Sequence, residues 1–221
     1  MNDLTVIYYT NNREKTEFAQ RIRETLLEAI DGLPLISVSQ KPLDFGENIC
    51  VGDVGSSAQN VLRQIQIGAM AAKTKFIATA EADCLYPREH FLFRPPTDDQ
   101  VYCARPMWCI MARKFMACIY TPKRLGCLGA AMMHRENAIR GFEAILKHLG
   151  KWGDADEGDE RLPAIMPLRR GYFTNPFPIV TFKTNEGLHQ GVPKYSGQRR
   201  DLEFWGPAGE LKERYLYGQE A

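Results

Sequence analysis

No two of the six cysteines in this sequence are spaced Cys-x-x-Cys. The paired ligand spacing of structural zinc sites is thus missing, and Cys50, Cys84, Cys103, Cys109, Cys118 and Cys127 read as reduced thiols. No apolar run reaches the roughly 18 residues that a membrane-spanning helix needs. The most hydrophobic stretch, Gly68 to Ala80, is broken by Lys73 and Lys75, so no membrane span is expected. Met1-Asn2-Asp3 leads straight into a strand-like run, with no basic region, apolar core and small-residue cleavage site behind it. No secretory signal is therefore read, and the cytoplasm is the expected compartment. An excess of one charge is also lacking: 28 Lys and Arg stand against 27 Asp and Glu, a net charge of +1. That balance argues against a nucleic-acid coat or an acidic tail. What is present is the make-up of an ordinary globular protein, 44% hydrophobic and 25% charged over 221 residues. A chain of this kind buries roughly 70% of its unfolded surface, which excludes disorder, collagen and coiled-coil arrays.

The order of elements is informative. Leu4 to Tyr9 is a β-branched and aromatic run that empties into Thr10-Asn11-Asn12, as a buried strand running into a polar loop would. Asn11 and Glu14 have capping-box spacing, and Phe18, Ile22, Leu26 and Ala29 share one face of a helix expected over 13–30, stopped by Asp31-Gly32. A second short strand is expected over Leu35 to Val38 and a Gly-rich loop over Lys41 to Ser56. A helix with an apolar stripe of Ala58, Val61, Leu62, Ile65, Ala69 and Ala72 follows, and then a strand over Lys75 to Ala80. This βαβαβ order implies a mostly parallel sheet with covering helices, in which ligands gather at the carboxyl ends of the strands. Further on, Val101 to Tyr120 reads as one or two antiparallel strands, Arg135 to Leu149 as a helix, and Pro178 to Lys183 as a strand. No internal repeat and no linker long enough to divide the chain is found.

Glu81-Ala82-Asp83 falls where the third strand should end. Residues two apart in an extended segment face the same side, so both carboxylates can point into one cleft. Hard oxygen ligands there would hold Mg²⁺ or Mn²⁺ against a diphosphate, although the same three residues also suit a solvated strand end. Val51-Gly52-Asp53-Val54-Gly55 is neither a Walker loop nor a dinucleotide fingerprint, because no Gly-Lys-Ser/Thr and no three-glycine spacing follow. At the ends of the first two strands, Tyr9 is a candidate to stack on a base. Thr10, Asn11 and Gln40 are candidates for hydrogen bonds to base or ribose, and Arg13 and Arg63 for phosphate contacts. Trp108, Tyr120, Trp152, Tyr172, Phe173 and Trp205 offer rings for an acceptor or simply fill the core.

The layout of Ser37 to Gly46, Val51 to Gly55, Arg63-Gln64-Ile65 and Glu81-Ala82-Asp83-Cys84-Leu85-Tyr86-Pro87 resembles glycosyltransferases of the GT-A fold. Small, inverting, family-two-like nucleotide-sugar transferases are the nearest type. The resemblance covers about residues 4–93 and is thin beyond. It implies a Rossmann-like, mostly parallel sheet flanked by helices, with an antiparallel acceptor-side portion, in a single domain. Residues 1–93 would form the nucleotide-sugar half, 94–193 the acceptor half and 194–221 a tail. It implies an enzyme, a hexosyl- or pentosyltransferase that moves a sugar from a nucleotide-diphosphate sugar to a glycan or other hydroxyl acceptor with Mn²⁺ or Mg²⁺. In the family the triplet is usually Asp-x-Asp, with the last acid on the metal. Asp83 takes that role by position, and Glu81 departs from the pattern. The resemblance also places a metal-closing histidine at His189, within Gly187-Leu188-His189-Gln190-Gly191, and the acceptor base at Asp156 or Glu157. An exposed loop histidine and a solvated acidic run are the plainer readings of those two segments.

Three other functions fit parts of the sequence. A sugar-1-phosphate nucleotidyltransferase would carry a Gly-rich basic loop after the first strand, and Thr10-Asn11-Asn12-Arg13 has no glycine. A sugar-nucleotide binder without catalysis would explain Glu81 as a decayed site. A transferase acting on a hydroxymethylated DNA base would use the Lys194 to Arg200 segment, but a nearly neutral chain lacks the basic face of duplex binders.

Overall fold

The structure, a computed structural model, describes residues 3–112, 117–119, 128–149, 169–184, 186 and 197–218. Strand β1 (Leu4–Thr10) is buried at every position, as a central parallel strand must be. Beside it lie β2 (Leu35–Ser39) on one edge and β4 (Phe76–Glu81) on the other, both parallel to it. The loop expected over Lys41 to Ser56 contains a further strand, β3 (Glu47–Cys50), parallel to β2. Its pattern of two half-buried residues between two exposed ones shows why the sequence hid it: it is an edge strand, with no apolar run to mark it.

Beyond β4 the direction reverses. Strand β8 (Ala131–His134) runs antiparallel to β4, and the long β6 (Gln100–Met111) runs antiparallel to β8. Strand β7 (Ala117–Ile119) forms an antiparallel pair with the second half of β6. The resulting order is β10-β7-β6-β8-β4-β1-β2-β3, where β10 is Gln198–Arg199. The other edge of β6 carries β9 (Arg169–Lys183) in parallel, and β9 also pairs antiparallel with the two-residue β5 (Cys84–Leu85). The β6–β9 register shifts between Arg105 and Met107. Pro106, Pro176 and Pro178 cluster at that break, and none has an N–H to give a ladder. The strand expected over Pro178 to Lys183 is thus the second half of a longer one.

Both faces of the parallel half are covered. Helix α1 (Thr16–Ile30) packs Leu26, Ala29 and Ile30 against the β1 face formed by Leu4, Val6 and Tyr8. Helix α2 (Ala58–Ala71) and α3 (Arg135–Leu149) cover the other face, where Leu62, Ile65, Ala69, Phe142 and Ile145 meet Ile7, Ile36 and Val38. The α2 stripe is as read from the sequence, and the Ser57 hydroxyl caps the helix by accepting from the Asn60 N–H at 3.1 Å. The capping box at α1 is not formed. Lys15 is the residue before the helix and contributes no side-chain bond, and Asn11 and Glu14 are engaged elsewhere. A third cluster joins Phe18 and Ile22 of α1, Trp108, Ile110 and Phe182 of the sheet, and Leu202, Ala208, Leu211 and Tyr215. The last four come from a hairpin, β11 (Asp201–Leu202) with β12 (Gly206–Pro207), and from helix α4 (Ala208–Lys212) and the wide turn Glu213–Tyr217 behind it. No helix among the described residues is long and apolar enough to cross a membrane.

Candidate active site at the end of strand β4

Strand β4 stays buried from Phe76 to Ala80 and surfaces at Glu81. The chain then turns through Ala82 and Asp83 into β5. Ligand atoms of Glu81, Asp83 and Cys84 lie within 4.8 Å of one another. The two carboxylates do meet in one place, yet the turn brings them there rather than the strand alternation expected from the sequence. Asp83 is anchored by its backbone, whose carbonyl accepts from the Phe182 N–H at 2.8 Å.

Each acid has a different neighbourhood. The Tyr9 hydroxyl donates to Glu81 Oε1 at 2.6 Å across the β1–β4 pair. The Glu81 N–H donates to the Tyr86 hydroxyl at 2.9 Å, and that hydroxyl donates in turn to the Gly129 carbonyl. The short helical turn Leu128–Ala130 is held on β4 by Thr79, whose hydroxyl donates to the Leu128 carbonyl and accepts from the Ala131 N–H at 3.0 Å. Burial, and next the charge of Asp83, push the Glu81 carboxyl above the usual carboxylate range, against the opposing pull of Lys183, Tyr9 and Cys84. Asp83 Oδ1 accepts from the Cys84 thiol at 3.2 Å, and Oδ2 faces the Lys183 ammonium at 3.6 Å. Glu14, in the loop before α1, accepts from the Thr184 hydroxyl at 2.8 Å. Burial first, with the charges of Asp83 and Glu186, raises the Glu14 carboxyl to about 7.

Hard oxygens of Asp83 and Glu81 suit Mg²⁺ or Mn²⁺, which also take phosphate oxygens and waters, so the donor set fits such an ion. The thiol is a soft group, and it serves here as a donor to the carboxylates.

The other residues singled out from the sequence fall in different surroundings. Thr10, Asn11 and Gln40 do come together at the ends of β1 and β2, but their polar groups build the loop. Asn11 Nδ2 donates to Ser56 Oγ at 3.0 Å, Gln40 Nε2 donates to the Gly55 carbonyl at 2.5 Å, and Thr10 Oγ1 accepts from the Asn12 N–H at 3.0 Å. Tyr9 is 4% exposed within the core under α2, so its ring presents no face for a base to stack on. Its hydroxyl instead orients Glu81. Arg63 lies half-buried on α2, and Arg13 is exposed in the loop after β1. Trp108 and Phe173 are core, whereas Tyr172 is exposed with the Arg105 guanidinium 3.5 Å above its ring. His189, Asp156 and Glu157, along with Tyr120 and Trp152, lie outside the described residues.

Sequence reasoning missed Glu14, Lys183, Tyr86 and Thr79 as residues of this site. A lysine closing the buried run Ile179 to Phe182 was the one legible sign, since a charge at a strand end is where a sheet opens to ligand.

Parallel β3-β2-β1-β4, then antiparallel β8 and β6, with acids at the carboxyl end of β4, is a Rossmann-like sheet with an antiparallel portion, as the sequence led us to expect. No protein-family model matches the sequence, and no curated protein is significantly similar to it. Among solved structures, the chain is similar to a glycosyltransferase involved in the glycosylation of the major capsid of PBCV-1, with a TM-score of 0.46 and 11% identity over 77% of this chain and 81% of that one. It is also similar to S. aureus TarS 1-349 in complex with UDP-GlcNAc, at a TM-score of 0.49, 10% identity, and 86% and 60% coverage. The third is the mannosyltransferase PcManGT from Pyrobaculum calidifontis in complex with GDP-Man and Mn²⁺, at 0.44, 15%, and 82% and 56%. The chain spans less than two thirds of the last two.

Proposed function

We propose that this chain transfers a sugar from a nucleoside-diphosphate sugar to a hydroxyl acceptor at the carboxyl end of β4. The observation that carries the proposal is the convergence of Glu81, Asp83 and Cys84 at that strand end. A parallel sheet presents ligands there, and a departing diphosphate needs positive charge at that point. A divalent ion, when bound, would neutralise the charge developing on the leaving phosphate.

The chain's own residues have separate roles in this reading. Asp83 binds the ion through its carboxylate. Glu81, oriented by the Tyr9 hydroxyl at 2.6 Å, completes the acidic wall and faces the ribose or the ion's water shell. The ends of β1 and β2, closed by the Asn11–Ser56 and Gln40–Gly55 bonds, form the floor for the nucleoside. For the inverting course the acceptor oxygen attacks the anomeric carbon, the bond to phosphate breaks, and the acceptor proton passes to a carboxylate, for which Asp156 and Glu157 remain the candidates. His189 remains the candidate to close the metal shell.

The test is donor hydrolysis. A panel of UDP- and GDP-sugars is incubated with Mn²⁺ or Mg²⁺, and the released nucleoside diphosphate is measured. Turnover by the parent, lost on chelation and lowered at least about hundredfold in Asp83→Asn, is the expected outcome, on the scale of removing one charge-stabilising group. Unchanged turnover in the presence of chelator would count against the metal role, and binding without turnover for every donor would favour the non-catalytic binder.

A further inference from the structure

Lys183 is placed by backbone bonds on both edges of β9. On one side Cys84 pairs with Thr181, and the Phe182 N–H reaches the Asp83 carbonyl at 2.8 Å. On the other, the Lys183 carbonyl accepts from the Ala112 N–H at 3.2 Å. Its side chain, 21% exposed, extends to bring Nζ 3.6 Å from Asp83 Oδ2, and Asp83 itself is 15% exposed. The ammonium also attracts the Glu81 and Glu14 carboxyls. One cation thus faces three acids at a strand end where ligands gather, and it covers the carboxylate oxygen that a metal ion would need. Two cations on one oxygen repel each other, and added negative charge from a diphosphate relieves that conflict.

We propose that Lys183 is a diphosphate-binding residue that shields Asp83 from divalent ions until a nucleoside diphosphate arrives. This rests on the nucleotide-sugar reading of the β4 end. The flexible four-carbon stem lets the ammonium swing a short way to a phosphate oxygen while its backbone stays in the ladder. Asp83 Oδ2 is then free for the ion. Metal and nucleotide therefore bind with positive coupling, each raising the affinity for the other.

The experiment measures Mn²⁺ binding by electron paramagnetic resonance and UDP and GDP binding by calorimetry, in the parent, Lys183→Met and Lys183→Arg. Thermal melts report whether each variant is folded, and Lys183→Gln supplies the same comparison if the methionine variant does not fold. Loss of the ammonium is expected to tighten Mn²⁺ binding without nucleotide by about tenfold or more, the scale of one charge-assisted contact. The same change is expected to weaken UDP or GDP binding in chelator about tenfold or more, with Lys183→Arg retaining most of the affinity. A neutral variant that binds Mn²⁺ alone no tighter than the parent overturns the shielding role. One that keeps the parent's nucleotide affinity overturns the diphosphate role. If the parent binds neither UDP nor GDP even with Mn²⁺, the nucleotide-sugar reading fails and this proposal fails with it.

Discussion

Gly129 has no side chain because the Glu81 carboxyl lies where one would be. A Cβ built there would come within 2.5 Å of Glu81 Cδ and 2.9 Å of Cγ. Gly129→Ala is therefore expected to push Glu81 off the Tyr9 hydroxyl and lower turnover more than stability, with a loss of about 1–3 kcal/mol in denaturant unfolding as the overpacking cost. A larger stability loss with unchanged donor hydrolysis would show that the contact serves packing alone. Glu14 allows a pH test. Its carboxyl is raised from the ordinary 4.5 to about 7, chiefly by burial. A group raised in this way contributes stability in full below the unfolded value and loses it as pH rises through the folded one. Glu14→Gln, which can still accept from Thr184, is expected to gain in melting temperature relative to the parent as pH rises from 4.5 to 7, and then level off. A difference that stays flat over that window would contradict the burial of this acid. From the sequence, Asp83 was legible as a candidate because acids at a strand end are conspicuous. Glu14 was not, since its only local signal was a capping spacing that the folded chain does not use.

Helix α2 was the most legible element. Its stripe repeats at helical spacing, and the structure adds the Ser57 cap at its start. Ser57→Ala is expected to cost about 1 kcal/mol, read by chemical unfolding, because the Asn60 N–H loses its partner. Gly68 on the same helix could not be interpreted without the sheet: a Cβ there would come 2.5 Å from Ile7 Cγ2 and 3.2 Å from Cγ1. Alanine improves helix propensity by about 1 kcal/mol, and overpacking costs about 1–3 kcal/mol. Gly68→Ala is accordingly expected to destabilise, and combining it with Ile7→Ala should cost less than the sum of the two singles. Additive effects would rule out the contact. Strands β3 and β8 were missed for opposite reasons. The first is an edge strand with little apolar content, and the second is only Ala131–His134, running straight into α3.

At the scale of the whole molecule, the C-terminal segment is a structural part of the sheet's outer half. Leu211 is 2% exposed beside Phe18, Ile22 and Phe182, and the Arg21 guanidinium donates twice to the Tyr215 carbonyl, at 3.1 and 3.0 Å. Leu211→Ala is expected to cost about 2–5 kcal/mol in denaturant unfolding while leaving nucleotide binding in place, since the cavity forms away from β4. A loss below about 1 kcal/mol would mean that the tail is not part of the cooperative core. The sequence by itself determined strands β1, β2 and β4, the helices α1, α2 and α3 that cover them, and the strand end that carries the acids. Those features follow from local periodicity and turn residues, which each segment carries within itself. Only the tertiary structure decided that Tyr9 holds Glu81, that Gly129 makes room for it and that Lys183 meets Asp83. Each of those pairs is separated by 48 residues or more. Their meeting depends on the register of β1 with β4 and of β5 with β9, which no local pattern specifies.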